Sequence, residues 1–142
     1  MSEPVVVVRG WDDLGKLLLR LTVALLIGFH GIGKLKSGIG WMAGMLASHH
    51  IPAFVGYGVY VAEVVAPILL ILGILTRPAA LVIAFDMFMA ITLVVGAKTF
   101  RPSPQSGGLG GELELFFLLA SLAIFFLGSG RYAVSKGHGR WD

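Results

Sequence analysis

The sequence predicts an all-α integral membrane protein: a four-helix transmembrane bundle, both termini cytoplasmic, with a short surface helix in the first outer loop. Three observations predict it. The chain of 142 residues is 56% hydrophobic and 13% charged, whereas a soluble domain carries about 25% charged residues. Its mean hydropathy is +0.87. Four apolar runs recur along it, each at or near the ~20 residues that an α-helix needs to cross the hydrocarbon core.

This composition leaves no polar shell for a soluble enzyme, and it excludes a disordered chain. The net charge of +3 comes from Lys and Arg that lie around the apolar runs, so no nucleic-acid partner is expected. The absence of cysteine removes disulfides, thiol catalysis and cysteine-held metal centres. No metal site is expected from histidine either. His49 and His50 are adjacent in a loop, and no HxxxH pair or paired Glu-x-x-His motif is present.

The first run, Leu17 to Gly33, follows acidic Asp12 and Asp13, and no small-residue cleavage site comes after it. It therefore reads as a retained membrane helix and not as a signal peptide. Val5 to Val8 is too short to span and is expected at the interface or in a short strand. The first outer loop, Lys34 to Ala53, holds the apolar WMAGMLASHHIP and is expected to form a short surface or re-entrant helix. The second run is Phe54 to Leu75. Thr76 to Pro78 makes a tight turn, where Pro78 suits the first turn of the third run, Pro78 to Ala97. The next loop, KTFRPSPQSGGLGG, is expected to be irregular and mobile. The fourth run is Glu112 to Gly128. The expected division is a cytoplasmic segment over 1–16, a membrane domain over 17–128 and a cytoplasmic tail over 129–142.

Seven Lys and Arg residues lie on the side of the termini and four on the other, which places the termini inside. Arg20, Arg77 and Arg131 are expected as cytoplasmic anchors. Trp11, Trp41, Tyr132 and Trp141 take interfacial positions.

Carboxyl groups inside the bilayer are the candidates for function. Glu63 lies nine residues into the second run, about 14 Å deep. Asp86 lies eight residues after Pro78, about 12 Å from the cytoplasmic end. An ionised carboxylate there costs about 2.5–3.5 kcal/mol or more, so both are expected to face the bundle interior. Pro67 lacks an N–H, so the Glu63 carbonyl loses its helical partner and a kink is expected. The plain alternative is that Glu63 only bonds a neighbouring helix. His30 and Lys34 share a face of the first helix, and Glu112 and Glu114 open the fourth. These four could converge at an outer vestibule, with Lys34 pairing a glutamate and His30 relaying a proton. Otherwise Lys34 snorkels, and the glutamates serve the helix dipole.

The order of these segments resembles the DoxX family. LLRL at Leu18, HGIGKL at His30 and IPAF at Ile51 match its first half. AEVVAPILLILGILTRPAALVIAFDM, Ala62 to Met87, is similar to its second and third helices. GGELELFFLLASLAIFFLGSGRY, Gly110 to Tyr132, is similar to its last helix. The sequence departs from the family pattern at RYAVSK, at VVGAKTF and at Glu114. The resemblance carries over to Arg20, His30, Lys34, Glu63, Arg77, Glu112 and Arg131. It implies a small subunit of the bacterial inner membrane, associated with redox chemistry. The residues fix no cofactor, and the resemblance admits a quinone or another lipid-soluble carrier near His30, Lys34 and Glu63. Soluble redox enzymes and a second copy of the chain are the expected partners besides lipid. Two alternatives stand: a non-catalytic scaffold that docks enzymes, and a small proton-coupled transporter.

Overall fold

The computed structural model describes residues 9–142, and the Val5 to Val8 run lies outside the described residues. Five helical elements follow one another. Helix α1 spans Arg9–Ser37. It carries Asp12 in its first turn and Lys34 and Lys36 in its last, the charge placement that the helix dipole favours. It is therefore longer at both polar ends than its apolar run, and the boundary expected between residues 16 and 17 falls inside a continuous helix.

Helix α2, Gly40–Ser48, is the short helix expected in the first outer loop. Its buried Leu46 packs toward Gly56.

Helix α3, Ala53–Leu72, is composite. It opens on a 3-10 turn, Ala53–Tyr57, and widens to a π-helix over Val61–Val65. It returns to α geometry over Ala66–Leu72, with Pro67 in the first turn of that segment. The missing N–H of Pro67 is thus absorbed as a change of register just upstream of it. The helix ends at Gly73, which takes a left-handed φ of 69°. Gly73 N–H (2.8 Å) and Ile74 N–H (3.0 Å) both donate to the Leu69 carbonyl. This Gly-centred stop falls before Leu75, the expected end of the run.

Helix α4, Thr76–Lys98, holds Pro78 in its first turn and carries a second π segment, Ile91–Val95. The following loop has irregular backbone, pinned by an isolated bridge between Pro102 and Leu109 and by Gly111 N–H donating to Thr99. Helix α5 is Glu112–Leu127.

Among the described residues, three helices are long and apolar enough to cross a membrane: α1 from Gly10, α3 and α4. Helix α5, with 16 residues, is about 24 Å long, short of the ~30 Å hydrocarbon core.

The core lies where α1, α3, α4 and α5 meet, at residues such as Val23, Ile27, Leu70, Ile83, Phe117 and Ile124. The small residues Ala79, Ala80, Ala84, Ala120 and Ser121 are buried on α4 and α5, the most intimately packed pair. Small side chains permit that approach without a hydrophobic drive between helices in lipid. Phe29, Phe85, Leu119 and Phe126 are exposed. So large an apolar exterior is the surface of a protein solvated by lipid.

The chain after α5 closes one end of the bundle. Val134 N–H donates to the Leu72 carbonyl at 2.9 Å, and Arg77 N–H donates to the Trp141 carbonyl at 3.0 Å. The start of α1, the α3–α4 turn and the C-terminal segment therefore share an end, and α2 lies at the other.

Candidate functional site

The site is built on a close approach of α1 to α3. Gly28 faces Pro67, and Gly31 faces the Glu63 main-chain carbonyl so closely that a Cβ would collide with it. That is the carbonyl that Pro67 deprives of its partner. A glycine Cα–H directed at it offers a weak hydrogen bond and lets the backbones touch.

Helical Cα–Cβ bonds tilt toward the N-terminus, so the Lys34 side chain runs back along α1 toward the level of Gly31. There its ammonium donates to Glu63 Oε1. Glu63 is 3% exposed and the Lys34 side chain 25%, so the carboxylate is enclosed and the ammonium reaches the rim. The second carboxylate oxygen, Oε2, is buried without a hydrogen-bond partner among the described residues.

Asp86 enters from α4. Glu63 is nine residues before the end of α3 at Leu72, and Asp86 ten after the start of α4 at Thr76. Both arms are about 14–15 Å long, so the two carboxyls meet at one level. Asp86 and Glu63 line the same cavity.

Two cavities flank the Lys34–Glu63 pair. The larger, about 240 Å³, holds Asp86 and has walls that include Val59, Ala62, Phe85 and Met89. Trp41 and Met42 of α2 form its rim. The smaller, about 160 Å³, holds His30, Glu114 and Phe117. Lys34, Trp41, Glu63, Ala90 and Val94 line both, so the ion pair is the polar part of the partition between them.

The sequence-predicted residues fall into three groups. Lys34, Glu63 and Asp86 come together, and Lys34 pairs with the membrane glutamate rather than with one at the start of α5. His30 and Glu114 line the smaller cavity with that pair, and the His30 ring meets Phe117 edge-on at 6.4 Å between centroids. Glu112 stands apart, exposed and with its carboxylate against Gly108 of the loop.

The arginines serve the closed end of the bundle. Arg20, expected as an anchor at the membrane surface, is 1% exposed. Its guanidinium donates to the carbonyls of Ser129 and, at 2.7 Å, of Tyr132. The helix end freed at Gly128 offers those carbonyls, and they hold the guanidinium inside the bundle instead of at headgroups. Arg77 Nε donates to the Asp142 carbonyl at 3.3 Å. Arg131 pairs with Asp13 through Nε at 3.6 Å, and its N–H donates to the same carboxylate at 3.1 Å.

Two features escaped the sequence reading. The Gly28–Gly31 pair that seats α3 was present as small residues one helical turn apart. The Asp13–Arg131 contact joins residues 118 apart, and no local pattern announces it.

Known proteins resemble this chain in sequence. The family model described as DoxX matches residues 15–96. A protein of Haemophilus influenzae described as "Uncharacterized protein" is 35% identical over 119 residues, which cover 83% of this chain and 86% of that one. No solved structure matches.

Proposed function

This chain belongs to the DoxX family, small multi-pass proteins of the inner membrane linked in general terms to redox function, and from that premise we propose that it holds a lipid-soluble carrier of the quinone class. The carrying observation is the larger cavity: apolar walls around a floor of Lys34, Glu63 and Asp86. A quinone ring needs apolar faces and a hydrogen-bond donor for its carbonyls. The Lys34 ammonium is one donor, and a proton held by the carboxyls is another. The volume of about 240 Å³ is below the roughly 300–1,000 Å³ of drug-sized sites. It suits a head group whose chain leaves into lipid past exposed Phe85.

When bound, a quinone accepts electrons and protons. This chain's own residues would bind and orient it, exclude water and hold the proton; electrons would come from a partner redox enzyme. Four spans with both termini cytoplasmic fit this reading. Helix α5 is apolar from Leu115 to Leu127 apart from Ser121 and packs along α4, and the excess of Lys and Arg lies on the side of the termini.

Fluorescence titration of the detergent-purified protein with a short-chain benzoquinone tests the proposal, since Trp41 borders the cavity. The expected result is saturable quenching, lost in Trp41→Phe and weakened at least tenfold in Lys34→Met. Quenching that rises linearly, or that persists in Trp41→Phe, overturns the site.

A further inference from the structure

The two cavities differ in what they hold. The smaller has His30 and Glu114, the larger has Asp86, and among the described residues the only side-chain charges that line both are Lys34 and Glu63. Glu63 shares the larger cavity with Lys34 of α1 and Asp86 of α4, and the smaller with Lys34 and His30 of α1 and Glu114 of α5; Tyr60 lies on α3 itself. The Tyr60 hydroxyl is directed to the Lys34 carbonyl at 3.4 Å. Helix α2 contributes Trp41, Met42, Met45 and Leu46 and no titratable group.

We propose that Glu63 is a proton-transfer gate, which takes a proton from the cavity of His30 and Glu114 and passes it to Asp86 in the apolar cavity. Two observations carry this. Glu63 Oε2 is enclosed and unpartnered among the described residues, an arrangement that costs about 1–3 kcal/mol or more if nothing fills it. Asp86 lines the same cavity as Glu63, and in this proposal its carboxyl is the partner of Oε2 when one proton lies between them. The count of charges agrees: one ammonium and two carboxyls sharing a proton are neutral, and a net charge at this depth is expensive.

The step moves a proton and no electron. The O–H bond on Glu63 breaks as the one on Asp86 forms, and Glu63 is refilled from the His30 side. Lys34 stays an ammonium and holds Glu63 Oε1, so the carboxyl can exchange its proton without leaving the partition. This deepens the carrier-binding reading by supplying the proton the carrier would need. Its test is read without any carrier, so the two can fail separately.

The experiment is infrared spectroscopy of the full chain in lipid nanodiscs at neutral pH, through the C=O stretch of protonated carboxyl groups. The wild type is expected to show one such band, lost in Asp86→Asn and lost again in Glu63→Gln. If Glu63→Gln does not fold, Asp86→Asn decides alone. A wild type without the band overturns the shared proton, and so does a band that survives in Asp86→Asn. Transfer into deuterated buffer then tests the route, since the band shifts as its proton exchanges. The His30→Ala/Glu114→Gln double variant changes only the smaller cavity and is expected to slow that shift at least about tenfold. An unchanged rate overturns entry from that side.

Discussion

Gly31 of α1 presses its Cα against the main-chain carbonyl of Glu63, and this contact sets the depth at which Lys34 meets the membrane carboxylate. Pro67 cannot act as the α-helical donor to that carbonyl, the π segment Val61–Val65 lies just before it, and Gly31 packs against it. Gly31→Ala is expected to destabilise the protein by about 1–3 kcal/mol or more, as overpacking does, and to separate Lys34 from Glu63. Gly33→Ala, with open space around it, is the matched control. Thermal unfolding in detergent checks this, and equal melting temperatures for the two variants would remove the contact from the argument.

The Lys34–Glu63 pair should behave as a buried pair on one side. Removing one partner leaves the other charge without compensation, at a cost of about 3 kcal/mol or more. Lys34→Met alone is therefore expected to be less stable than the Lys34→Met/Glu63→Gln double variant. A double-mutant cycle on denaturation measures the coupling. Additive effects would mean that the pair contributes nothing beyond its two side chains.

Arg20 and Arg131 both hold the C-terminal segment, and their burial separates them. Arg20 is enclosed and satisfies two main-chain carbonyls. Arg20→Ala leaves those carbonyls unpaired, which costs about 1–3 kcal/mol. Arg20→Lys is expected to restore little, since an ammonium cannot reproduce the planar fork. Arg131→Ala, whose own side chain is 62% exposed where it meets Asp13, is expected to cost less than about 1 kcal/mol. Limited proteolysis of residues 129–142 reads the difference, and cleavage that is equally fast in both variants would place the hold elsewhere.

These residues also show how much the sequence made legible. Apolar runs are long, and their periodicity is a local signal, so the helices and the short α2 could be read directly. Glu63 and Asp86 stood out because a carboxyl in an apolar run has an energetic cost that a function or a partner must offset. Their meeting is a matter of equal arm lengths about the Gly73–Leu75 turn, which the sequence also contains. The partner of Lys34 was not legible, since it depends on the direction of its Cβ and on the depth set by Gly31. Arg20 looked like an anchor because it lies near a helix end. Only the path of the chain after Gly128 brings carbonyls to it.

The cavity itself can be filled without touching any charge. Ala62 is 2% exposed, lies one residue before Glu63 and lines the larger cavity but not the smaller. Ala90 lines both. Large residues at wall positions occupy the volume a ring would take, at about 1–3 kcal/mol of overpacking when the walls cannot move. Val82→Phe, at an exposed wall position, carries less of that strain than Ala62→Phe. Val82→Phe is expected to weaken benzoquinone quenching of Trp41 at least tenfold while the protein keeps its melting temperature and its protonated-carboxyl band. Retained quenching would place the ring outside the larger cavity. Lost quenching together with a lost band would mean that the substitution acts on the carboxyls and not on the space. The combination expected here, an intact band with no quenching, arises only if the ligand needs the apolar volume and the proton site stands without it.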